Sequence, residues 1–87
     1  MKDKNITSAQ IRAARSVCTM SVRELSEMTG IGTTTIKRYE DADGVPLSRK
    51  GHLALLREYF EAQGIEFIGT PDDGPGIRLR RIGRPKQ

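Results

Sequence analysis

The chain has one cysteine and one histidine in its 87 residues, and each scarcity excludes something. Cys18 has no partner for an intrachain disulfide, so a disulfide-stapled secreted scaffold is excluded and a reducing compartment is expected. With His52 as the sole imidazole and no cysteine pair, the usual donor sets for a zinc site are missing. There is also no glycine loop spaced to cradle phosphate and no nucleophile paired with a base. The expectation is therefore a protein that is not an enzyme and carries no cofactor or metal. No run approaches the roughly 18 apolar residues needed to span a membrane, and the segment from Met1 to Ser8 lacks the apolar core of a signal peptide. These absences point to a soluble, cytoplasmic protein. Internal repeats and low-complexity runs are absent, and a chain of this length buries only slightly more than roughly 60% of its unfolded surface, which leaves room for one core.

What is present is positive charge in particular places. Lys and Arg total 15 against 11 Asp and Glu, a net +4. Arg78, Arg80, Arg81, Arg84 and Lys86 crowd the last ten residues with no acid among them, while Arg12, Arg15, Lys37 and Arg38 belong to the helical half. Phosphate suits such patches, because neutralising it releases condensed counterions. The bland alternative is a solvated basic surface.

Residues 22–41 tip the balance toward phosphate. Ser21 and Glu24 have the spacing of a capping box, Leu25 and Met28 lie one turn apart, and Gly30 can take the positive φ that a sharp helix exit needs. Ile31 then fills the angle, and a second short helix starts at Thr33 after Gly32. Two short helices joined by three or four residues have the spacing of a helix-turn-helix DNA reader. Ile36 is the inward residue of the second helix, which leaves Thr33, Thr34, Lys37 and Arg38 mostly on its other faces.

Around this pair, Thr7 or Ser8 starts a first helix running to about Cys18, with Ile11, Ala14, Arg15 and Cys18 on one side. Cys18 reads there as a small core residue. Arg15 is the odd member of its stripe and Glu40 the odd member of the stripe containing Ile36, so the two are expected to pair across the helices. Residues 41–48 form a turn-rich connection ending at Ser48 as a cap, and a long helix from Arg49 to Gln63 follows, carrying Leu53, Leu55, Leu56, Tyr59 and Phe60, with Gly64 to end it. His52 reads as an ordinary surface or boundary residue. Beyond Gly64 the period changes. Residues 65–68 and 77–80 read as strands joined by residues 69–76, with Ile77 and Leu79 on one face and Arg78 and Arg80 on the other. The expected division is a DNA-binding domain over 1–64, a β-hairpin over 65–82 and a basic tail over 83–87.

Over roughly residues 7–60 the chain resembles the lambda-repressor and Cro type of helix-turn-helix regulator, the XRE-like family of bacteria and phages. Leu25, Ser26, Gly30 and Ile36 stand where that family's motif has its aliphatic residue, small residue, turn glycine and inward β-branched residue, and Arg15 and Glu40 match a family ion pair. The resemblance implies a mainly α, four-to-five-helix lambda-repressor-like DNA-binding domain, here followed by the hairpin. It further implies base contacts from Thr33, Thr34 and Arg38 at the start and outer face of the second motif helix. Thr35 and Lys37 fit phosphate contacts, as do Arg84 and Lys86 of the tail. Val22 departs from the pattern, since the family commonly has a phosphate-contacting glutamine there. The tail itself is similar to the Arg-Gly-Arg-Pro core of minor-groove AT-hooks, but Ile82 stands where the first arginine belongs.

The expected function is sequence-specific binding of double-stranded DNA by a transcriptional repressor. The partner would be a second copy of the chain, paired through Phe67, Ile77 and Leu79 of the hairpin or, alternatively, through the helix over residues 49–63. A second reading makes residues 65–87 a protein-binding module, as in an antitoxin that neutralises a toxin and represses its own operon.

Overall fold

The computed structural model describes residues 5–48 and 51–80. In chain order it has α1 (Ser8–Val17), α2 (Val22–Thr29), α3 (Thr33–Asp41), α4 (His52–Ala62), β1 (Ile65–Thr70) and β2 (Asp73–Leu79). Both early helices begin with reciprocal caps. The Thr7 hydroxyl accepts from the Gln10 amide while the Gln10 side chain accepts from Thr7 N–H, and Ser21 and Glu24 repeat the exchange at α2. Their exits differ. Gly30 leaves α2 at φ +81, an unstrained choice, whereas α1 closes with Thr19 at φ +54. The amides of Thr19 and Met20 return to the carbonyls of Ser16 and Arg15, the paired bonds of a Schellman ending, with a β-branched residue in the position that glycine normally fills.

Ile11, Leu25, Ile36, Tyr39, Leu56 and Phe60 are fully buried and knit the four helices together, and Ile65 and Phe67 of β1 enter the same core. The Phe67 ring meets Phe60 edge to face, with centroids 6.4 Å apart. The expected mainly α architecture is corrected by this arrangement. The hairpin is not an appendage to a helical domain: it supplies part of the core, packing β2 against α1 and β1 against α4. The fold is an α+β combination of four helices with a two-stranded antiparallel sheet. No fifth helix forms among the described residues. Residues 42–48, which follow α3, form bends and irregular backbone, with Gly44 at φ +78.

Two boundaries also move. The last helix starts at His52 rather than Arg49, because Gly51 sits at φ +86 directly before it, and Ser48 provides no cap. Arg49 itself lies outside the described residues. The strands are longer than expected and are joined by Pro71 and Asp72 alone, with Phe67 opposite Ile77 and a bulge between Ile68 and Thr70. Gly69 makes this tight return possible: a Cβ there would lie 2.1 Å from the Gly74 carbonyl oxygen. No helix among the described residues is long and apolar enough to cross a membrane.

Candidate nucleic-acid interface

α3 presents two unlike faces. Ile36, Tyr39 and Glu40 are buried, while Thr33, Thr34, Lys37 and Arg38 are exposed and Thr35 is half-buried. The proposed base-reading and phosphate-contacting residues of this helix therefore share one accessible surface, which starts at the helix N-terminus. The Arg38 guanidinium lies 5.7 Å from the Tyr39 ring centroid, and Arg38 also lines an open cavity with Asp41, Pro46 and Leu47. Val22, at the first turn of α2, is half-buried against the core. Arg84 and Lys86 lie outside the described residues, as does all of 81–87.

The C-terminal end of α3 is held by α1. Helices end with carbonyls that lack intrahelical partners, and α3 makes no left-handed turn at Ala42 that would return amides to them. A stripe on α1 supplies donors instead. The Ser8 hydroxyl donates to the Tyr39 carbonyl and the Arg12 guanidinium to the Glu40 carbonyl. Arg15 completes the stripe: its Nε and Nη2 grip the two oxygens of the Glu40 carboxylate at 2.7 and 2.8 Å, and its Nη1 donates to the Met20 carbonyl at 2.9 Å. The Glu40 hydrogen bond outweighs burial and raises the Arg15 pKa above its ordinary value, so this guanidinium stays charged. Two cations beside the negative end of the α3 dipole add to the hold.

Arg15 and Glu40 were expected to pair, whereas Ser8 was read only as a possible helix start and Arg12 only as part of the basic surface. The signal was there, since residues 8, 12 and 15 recur at i, i+4 and i+7, the spacing of one helix face. A second tie escaped notice as well. The hydroxyl of buried Tyr39 and the Nδ1 of His52 lie 2.7 Å apart, so His52, half-buried at the boundary as read from the sequence, also links α3 to α4.

The hairpin residues expected at a dimer contact are placed unequally. Phe67 is 8% exposed and committed to the chain's own core, Ile77 is half-buried, and Leu79 is 62% exposed at the open end of the ladder. On the wet face, Glu66 sits between Arg78 and Arg80 at 3.5 and 3.1 Å. Gln10 binds the hairpin to α1. Its side-chain amide donates to the Gly76 carbonyl at 2.8 Å and the Ile68 carbonyl at 3.2 Å, while its oxygen accepts from Thr7. Cys18 is half-buried, and that burial pushes its thiol pKa up, as suits a packing residue. Among the described residues no group of histidine, cysteine, aspartate or glutamate could hold a metal ion. No described family matches the chain, and no curated protein is detectably similar to it.

Proposed function

We propose that the chain is a sequence-specific double-stranded-DNA-binding transcriptional regulator of the lambda-repressor and Cro type, acting as a repressor by occluding a promoter. The observation that carries this reading is the two-faced α3: a helix immobilised at its rear and inner side, with Thr33, Thr34, Lys37 and Arg38 exposed on one surface. α3 would enter the major groove. Arg38 would grip guanine O6 and N7, Thr33 and Thr34 would meet base edges and thymine methyls, and Lys37 and Thr35 would contact phosphate. Such a reading requires no catalysis, and it places the protein in the cytoplasm with its DNA.

One reading helix with two threonines and one arginine gives limited discrimination, so the active form is a twofold dimer on half-sites about 34 to 36 Å apart. Leu79 and Ile77 are the hairpin contributors to that contact, with Leu55 on α4, 39% exposed, as the alternative centre. Selection of duplexes from a random pool tests the proposal. The expected outcome is a palindromic site whose binding weakens on the order of 10³ to 10⁵-fold between about 50 and 200 mM salt. Recovery of no common sequence, or binding insensitive to salt, would overturn it.

A further inference from the structure

The open cavity beside α3, about 670 Å³ in volume, is lined by Arg38, Asp41 and Ala42 along the C-terminal half of the helix and its cap, and by Pro46, Leu47 and Ser48 of the segment that follows. Leu47 is 93% exposed, more than any other large apolar side chain among the described residues. A lone aliphatic residue on a surface needs no explanation in itself. This one is held outward by a fixed backbone. The Gly44 carbonyl accepts from the Ser8 amide at 2.8 Å, Val45 packs against the core and Pro46 is buried, so the residues before Leu47 are tied to the body of the protein while its own side chain stands in solvent next to Arg38.

The chemistry of the cavity fits base edges better than the phosphate backbone. Arg38 and Asp41 stand three residues apart on one helix face, the spacing of an ion pair, yet Asp41 has no ion-pair partner among the described residues. The Arg38 guanidinium lies 5.7 Å from the Tyr39 ring centroid instead and gives none of its donors to Asp41. A phosphate would meet an exposed carboxylate and an aliphatic side chain here along with the one cation. In the major groove the same set has natural partners: guanine offers O6 and N7 to an arginine fork, and the C5-methyl of thymine is the apolar feature of the base edges. An arginine and a leucine that line one cavity therefore match two neighbouring base pairs.

We infer, on the basis of the DNA reading proposed above, that Leu47 is a further specificity-determining residue, packing against the C5-methyl of a thymine next to the guanine that Arg38 grips. Thr33 and Thr34 lie at the opposite end of α3 and would meet other base pairs. The segment after the helix thus lengthens the sequence that so short a helix can select.

Substitutions on both sides of the contact test this. The guanine is the position at which Arg38→Ala relaxes preference in the selected duplex, and the thymine beside it is replaced by deoxyuridine, which removes only the methyl. The wild-type protein is expected to bind the deoxyuridine duplex about fourfold more weakly, the effect of losing one buried methyl group. Leu47→Ala, several-fold weaker on the thymine duplex, should bind the two duplexes alike, and Leu47→Met should keep part of the thymine preference. An unchanged urea midpoint for Leu47→Ala, expected for so exposed a side chain, separates the effect from unfolding. Equal binding of the wild type to both duplexes, losses from Leu47→Ala and deoxyuridine that simply multiply, or a selected site with no thymine beside that guanine would each overturn the inference and leave the DNA reading in place. Arg38→Ala relaxing no base pair would overturn it together with the assignment of Arg38. Recovery of no common sequence would overturn the DNA reading and the inference alike.

Discussion

Replacing Arg15 by methionine isolates the contact that seats α3. The side chains of Arg15 and Glu40 are 24% and 7% exposed, so the substitution leaves a carboxylate almost wholly inside with its two charge-assisted bonds gone. Removing one partner of a buried ion pair costs about 3 to 5 kcal/mol, and the partial exposure on the Arg15 side places this site near the lower end, about 3 kcal/mol. The lost bond to the Met20 carbonyl is contained in that figure. Changing both residues, Arg15→Met with Glu40→Leu, removes the stranded charge and should recover most of the loss, because two well-packed apolar side chains can match a buried pair. The assay is urea denaturation of the wild type, both single variants and the double variant, taken as a double-mutant cycle. A coupling energy above about 1.5 kcal/mol is expected, well beyond the 0.2 to 1 kcal/mol of an exposed pair. If Arg15→Met costs under about 0.5 kcal/mol, or the two changes simply add, the pair behaves as surface charge and the account of how α3 is held is wrong.

Gln10→Leu should orphan the Thr7 amide and remove the side-chain tie from α1 to the carbonyls of Ile68 and Gly76, costing about 1 to 3 kcal/mol for the stranded amide, with faster amide hydrogen exchange in the hairpin as the local readout. Gly69→Ala and Gly74→Ala separate steric from backbone cost: Gly74, at φ +67 with open space around its Cβ position, should lose only about 1 to 2 kcal/mol, while Gly69, whose Cβ meets the Gly74 carbonyl, should lose more and disturb the hairpin signals. Thr19→Gly is expected to raise stability in the same denaturation assay, since glycine relieves a left-handed β-branched residue; a fall would show that the threonine side chain contributes more than its strain costs. On a selected duplex, Arg38→Ala should cost about 1 to 3 kcal/mol and relax preference at one base pair, whereas Lys37→Ala should weaken all sequences alike; equal effects on random DNA would remove Arg38 from base reading.

The segment from Ser21 to Asp41 was legible because its determinants are local. Ser21 and Glu24 cap each other within one turn, Gly30 takes its left-handed φ next to the helix it ends, and Ile36 is inward by period alone. The Arg15–Glu40 pair was legible for a related reason: a charge on an otherwise apolar stripe has few places to go. The hairpin was harder. Asp73, Gly74, Pro75 and Gly76 have poor strand propensity, so this stretch reads as loop, yet the pairing across the bulge makes strand of it. The architecture was misjudged for the same reason. Two strands in isolation look marginal, and only their contacts with α1 and α4 reveal that Phe67 and Ile65 belong to the main core. The Thr7–Gln10 capping box had a readable signature, but that Gln10 also reaches the hairpin depends on contacts 58 and 66 residues away.

Those distances along the chain bear on how the protein is made. The cap of α1 shares its glutamine with carbonyls synthesised long after it, so during translation Gln10 can complete the bond to Thr7 early and must wait for Ile68 and Gly76. Until they arrive, the side-chain N–H groups have only water, and the core stays open where Phe67 will enter. The core is complete only when the hairpin, the last described element in the chain, packs against α1 and α4, so its closure rests on contacts that are long-range in sequence.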